Sequence, residues 1–101
     1  MSNSKRLHPL LNKDAKHYDN GDEPTIKMLE RKMTVREMIG ACVFNEGKYE
    51  ARMKGQDIED KKKAEDYRAY RHSLQMIPRA YENTLVVNAY SACHISWNYE
   101  V

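Results

Sequence analysis

Residues 34–67 read T-V-R-E-M-I-G-A-C-V-F-N-E-G-K-Y-E-A-R-M-K-G-Q-D-I-E-D-K-K-K-A-E-D-Y, and they predict two helices joined at Gly55-Gln56. Thr34 with Glu37 three residues later makes a capping box, in which each side chain bonds the other's backbone N–H. Behind it Val35, Met38, Ile39, Cys42, Tyr49 and Met53 recur at helical spacing, a stripe to be buried. Asn45, Lys48, Tyr49 and Arg52 stand at i, i+3, i+4 and i+7, which aligns them on the shoulder of that stripe. An amide, an amine, a phenol and a guanidinium at the edge of a seam suit an anion and a base. The second helix repeats the idea with Asp60, Lys63 and Tyr67, on the face its apolar residues Ala64, Tyr70, Leu74 and Ile77 occupy. Asp60 and Lys63 are thus expected to point inward, where charge is costly unless paired or liganded. The competing reading is a solvated surface, with Asp60–Lys63 an i,i+3 pair worth a few tenths of a kcal/mol.

Outward from the hairpin, Met33 precedes the cap as a hydrophobic staple. A short helix is expected over about Pro24–Arg31, after the turn Asn20-Gly21-Asp22, with Ile26 and Leu29 facing in. Residues 1–16 read as a mobile arm, since Pro9, Asn12 and Asp14 interrupt any helix. Asp57 is placed to cap the second long helix, which runs to Ile77 and meets Pro78. Gly40 and Gly47 lie seven apart in the first long helix, either for close approach of a helix or ligand or as local weakness. Beyond Pro78, the stretch T-L-V-V-N-A-Y, residues 84–90, has β-propensity, but Leu85, Val86, Ala89, Tyr90, Cys93 and Trp97 fit a helical stripe. The tail, 79–101, is expected as a helical extension whose stripe packs either on its own bundle or on another copy.

These elements give an all-α fold, a small helical bundle on a central helical hairpin. The 101 residues make one domain, and a single Phe and a single Trp leave a thin core, so a homo-oligomer is expected. A net charge of +2, with both signs mixed along the chain, is no nucleic-acid signature. No apolar run is long enough to span a membrane, and the first residues, M-S-N-S-K-R-L-H-P-L-L, lack the apolar core of a secretory signal. Cys42 and Cys93 are isolated and read as reduced thiols of a cytoplasmic protein.

The spaced residues His17-Tyr18, Glu23-Pro24-Thr25-Ile26, Asn45-Glu46-Gly47-Lys48-Tyr49-Glu50-Ala51-Arg52 and Glu59-Asp60-Lys61-Lys62-Lys63-Ala64-Glu65-Asp66-Tyr67 occur in that order. Over about residues 16–77 this pattern resembles the small phage nucleotide kinase family typified by T-odd coliphages. Phe44, Gly47 and Lys61 depart from the family's usual residues, and its Cys-rich N-terminal region has no counterpart here. The resemblance implies a helical nucleotide-kinase-like domain over 17–78, in the cytoplasm of an infected host cell. It implies deoxynucleoside mono- and triphosphates as partners and magnesium as the cofactor. Lys48 and Arg52 would hold phosphates, Arg52 bidentately, and with Asp60 would form the catalytic set. Asn45 would read a base edge or sugar, Tyr49 or Tyr18 would stack on the base, and Lys54 would add charge at the mouth. Lys63 and Tyr67 complete the nucleotide-binding set, Asp60 either orients Lys63 or binds magnesium, and His17 would close over the ligand. No fixed metal site is assigned.

A kinase of this kind has no G-x-x-x-x-G-K-[ST] loop and must work by positioning and cationic clamps. The same face also suits a module that sequesters nucleotides, including signalling nucleotides of host defence. A third reading, a magnesium-dependent nucleotide pyrophosphohydrolase, draws on Glu46, Glu50, Glu59 and Asp60, which otherwise read as helix-surface charges. A fourth is a plain interaction protein whose Met and Tyr stripes are core.

Overall fold

The computed structural model describes residues 6–11, 23–52 and 58–100. Among them the order is β1 (Arg6–Leu7), α1 (Thr25–Glu30), α2 (Val35–Arg52), α3 (Ile58–Gln75), a 3₁₀ turn (Arg79–Tyr81), α4 (Val86–Cys93) and β2 (Trp97–Asn98). The fold is all-α, as its sequence pattern predicts, with one two-stranded parallel pairing at its edge. The helices α2 and α3 form the central hairpin. It is antiparallel, because Arg52 meets Asp60 near the link while Glu46 meets Arg71 two turns further in.

The capping box forms. The Thr34 N–H donates to the Glu37 carboxylate at 2.9 Å, and the Glu37 N–H donates to Thr34 Oγ1 at 3.2 Å. The start of α2 is also tied to the start of α4. The N–H groups of Val35 and Arg36 donate to the carbonyls of Thr84 and Glu82, and the Val86 N–H returns to the Met33 carbonyl at 2.9 Å. Backbone carbonyls thereby satisfy the first donors of both helices, Val35 and Arg36 of α2 and Val86 of α4, and α4 has no capping side chain.

Val35, Met38 and Cys42 from α2, Tyr70 and Leu74 from α3, Ile26 from α1 and Val86, Ala89 and Tyr90 from α4 make one core. The α4 stripe therefore packs on its own bundle. Met33, ahead of the cap, joins the same cluster from its edge. A fully buried aliphatic such as Leu74 contributes about 1.5–3 kcal/mol by leaving water.

Both ends of the chain depart from expectation. His94 adopts a left-handed conformation, φ 56°, and the Ile95 N–H turns back to the Tyr90 carbonyl at 2.9 Å. This closure ends α4 before Trp97, which instead pairs as β2 with β1 in the register Arg6↔Trp97 and Leu7↔Asn98. Part of the expected N-terminal arm is thus built into the fold: Arg6–Leu7 is a strand, His8 and Leu11 are buried, and the His8 N–H donates to the Asn98 carbonyl. The apolar character of Leu7, Leu10 and Leu11 outweighs the interruptions by Pro9 and Asn12.

Gly40 and Gly47 face open space, with nothing within 4 Å of where a Cβ would stand. Neither serves close approach to another part of the chain among the described residues. Among the described residues, no helix is long and apolar enough to cross a membrane.

Candidate functional site

The last two turns of α2 and the first three of α3 bring six of the expected site residues together. Tyr49 and Tyr67 stack across the hairpin, ring centroids 6.0 Å apart and planes inclined by 17°. Around the Tyr49 ring stand the Lys48 ammonium at 4.8 Å, the Arg52 guanidinium at 5.3 Å and the Lys63 ammonium at 5.4 Å. Each is within the range where a cation is drawn to a ring face. Asp60 is buried beneath, its carboxylate 3.8 Å from Arg52 Nε. Burial raises the Tyr67 hydroxyl pKa, and the Tyr49 and Cys42 groups beside it add to the effect, so it stays a neutral donor.

Three cations crowd one ring, and among the described residues neither lysine forms an ion pair. Their mutual repulsion would be relieved by an anion bound between them. The expectation that Lys63 points inward is not met. Its side chain is exposed and reaches the Tyr49 ring from outside, because the four-carbon stem lets the ammonium stay in water. Asp60 does point inward.

Asn45 does not join the platform. Its amide donates to the Ala41 carbonyl one turn back at 2.8 Å, a bond internal to α2. His17, Tyr18 and Lys54 lie outside the described residues, as does the cap expected at Asp57. Of the four carboxylates of the hydrolase reading, Glu46 and Glu50 are held by arginines of α3. Arg71 grips Glu46 through Nε at 2.5 Å and through its second amino group at 3.0 Å, with Arg68 at 3.6 Å, and Arg68 also pairs with Glu50. The Arg71 hydrogen bonds hold the Glu46 carboxyl below its ordinary range, against the effect of burial.

A second cluster was not foreseen. Glu30 is 1% exposed, and its carboxylate accepts hydrogen bonds from Tyr70, Tyr90 and Tyr99 and from His8. The Leu10 N–H donates to His8 Nδ1 at 3.1 Å, which leaves the ring proton on Nε2, 2.9 Å from Glu30. Burial pushes the Glu30 carboxyl up, but the four donors outweigh it and hold it below the ordinary value. The three phenols move the other way, raised first by burial and further by the carboxylate they face. The signal available in the sequence was its seven tyrosines against one Phe and one Trp, since buried phenols need acceptors. A pocket of about 320 Å³ opens beside the cluster, lined by Lys27, Arg31, Tyr90, Trp97 and Tyr99 among others. With its carboxylate already accepting from four groups, Glu30 is a structural hub that clamps both chain ends to α1.

No curated protein and no solved structure matches the chain. A family model described as a protein of unknown function, DUF3310, matches residues 12–69. That stretch holds α1, α2, most of α3 and every residue of the Tyr49 platform, whereas of the buried cluster it holds Glu30 alone. Since the match spans more than half of the sequence, the chain belongs to the DUF3310 family.

Proposed function

We propose that this protein binds nucleotides at the Tyr49–Tyr67 platform. The observation that carries the reading is the convergence of Lys48, Arg52 and Lys63 on one aromatic ring. Phosphates take the place of solvent between the three cations, with Arg52 the bidentate partner, and a base lies against the tyrosine edge. Asp60, buried against Arg52, fixes the guanidinium in place. The sequence resemblance makes phosphoryl transfer from a nucleoside triphosphate to a deoxynucleoside monophosphate, with magnesium, the reaction to test first. Binding without conversion is the second reading. It is favoured by the glycines of α2, which by helical spacing face away from Tyr49 and cannot cradle a phosphate there.

The test is equilibrium dialysis of the full chain against a panel of deoxynucleoside monophosphates and triphosphates, followed by magnesium incubation and chromatography. Lys48→Ala/Arg52→Ala should weaken binding at least tenfold, about 1.4 kcal/mol. New diphosphate that disappears in this variant supports the kinase reading, and nucleotide bound but recovered unchanged supports sequestration. Binding that the double variant leaves intact overturns the site.

A further inference from the structure

Val43 is 54% exposed and Phe44, the one phenylalanine of the chain, is 70% exposed. Both lie on a face of α2 that also carries Arg36, Gly40, Gly47 and Ala51, all exposed. At the helical angle of about 100° per residue these six fall within an arc of about 100°. Between Arg36 and Ala51 that arc is uncharged. Each glycine costs a helix about 1 kcal/mol relative to alanine, and among the described residues nothing packs against either to compensate for it.

The order Gly40-x-x-Val43-Phe44-x-x-Gly47 reads the same in both directions by residue size. An antiparallel copy of α2 in that register sets Gly40 against Gly47 and Val43 against Phe44, twice. Such self-complementarity is what a two-fold contact requires. The glycines let the backbones approach while the larger side chains fill the space between them.

The flanking charges agree with the same operation. Glu37 and Lys48 border one edge of the face, and Arg36 and Glu50 lie toward the other. A two-fold axis perpendicular to the helix pair keeps each edge on its own side and reverses the chain direction. It therefore brings Glu37 of one copy beside Lys48 of the other, and Arg36 of one beside Glu50 of the other. A parallel copy would instead bring unlike edges together and leave Arg36 and Glu50 at opposite ends of the contact, so it is the Arg36–Glu50 pairing that marks the antiparallel arrangement. Within the chain Arg36 reaches Glu82 only at 3.9 Å, which leaves its guanidinium available, and Glu50, although it pairs with Arg68, is exposed and has lone pairs for a second guanidinium.

We propose that this face is a two-fold interface at which a second copy of this chain packs antiparallel on α2. It does not depend on the nucleotide reading: its centre, Gly40, Val43, Phe44 and Gly47, lies on the opposite side of the helix from Tyr49, and only Lys48 at its rim is shared with the platform.

The test is analytical ultracentrifugation of the full chain across the micromolar range. The wild type should dimerise, and Phe44→Glu should be monomeric with an unchanged helical circular dichroism spectrum. Arg36→Glu and Glu50→Arg should each weaken association about tenfold, and the double variant should restore it, because only the antiparallel pairing brings those positions together. A wild type that stays monomeric overturns the proposal, as does association that survives Phe44→Glu or a double variant that fails to recover.

Discussion

The His8 imidazole donates through Nε2 to the Glu30 carboxylate at 2.9 Å, fastening the strand segment before the family core to α1 within it. The same carboxylate receives Tyr70 from α3, Tyr90 from α4 and Tyr99 from the segment after β2. Five segments remote in sequence thus share one buried anion. Glu30→Ala would leave three phenols and an imidazole N–H without their acceptor, and leaving buried groups unpaired costs far more than a surface bond. The expected loss is about 3–5 kcal/mol, read as a lower urea midpoint. A surface control, Glu65→Ala, should change stability by less than about 0.5 kcal/mol.

The hub, together with the Glu46–Arg71 pair, sets both limits of the pH range. Glu30 and Glu46 have folded-state pKa values below the ordinary 4.5, so their stabilisation is fully present above that value. It is lost as pH falls through their lowered values. Tyr70, Tyr90 and Tyr99 are raised above the ordinary 10.0, so their contribution is present below pH 10 and fades above it. Urea midpoints should therefore fall at both ends, and Glu30→Gln should flatten the acid limb. Tyrosinate absorbance of these three phenols should rise together with the loss of helical circular dichroism. Smooth titration of them in a folded chain would contradict the hub.

The two thiols should differ sharply in reactivity. Burial, reinforced by nearby Glu46, pushes the Cys42 thiol up to about 12, whereas Cys93 is half-buried near the end of α4. Only the thiolate reacts, so a maleimide at neutral pH should label Cys93 first and Cys42 at the rate of unfolding. Mass spectrometry of the partly labelled chain reads the order directly.

The hairpin was legible because its signals are local. The Thr34–Glu37 box and the spacing of Val35, Met38 and Cys42 are set by one turn of helix at a time. The Tyr49 platform was legible in part for the same reason, since helix spacing alone aligns Lys48, Tyr49 and Arg52. What spacing cannot give is depth. Lys63 and Asp60 occupy one face of α3, yet one is exposed and the other buried, according to how close α2 lies at each level. The Glu30 hub and the pairing of β1 with β2 join residues up to 91 positions apart (Arg6 with Trp97), and no local pattern announces such a contact.

Gly40 and Gly47 offer the last prediction. Neither has a positive φ, and a Cβ at either position meets nothing within 4 Å. Alanine should then stabilise the isolated chain by up to about 1 kcal/mol per site, through reduced freedom of the unfolded state and better helix propensity. Denaturation at protein concentrations below those of association should show this gain in Gly40→Ala and in Gly47→Ala, and near-additivity in the double variant. At higher concentration the same methyl groups would stand between the two backbones of the antiparallel pair and weaken association. A substitution that strengthens the monomer and weakens the dimer separates helix propensity from interface packing. Stabilisation at every concentration would instead mean that no second helix approaches that face.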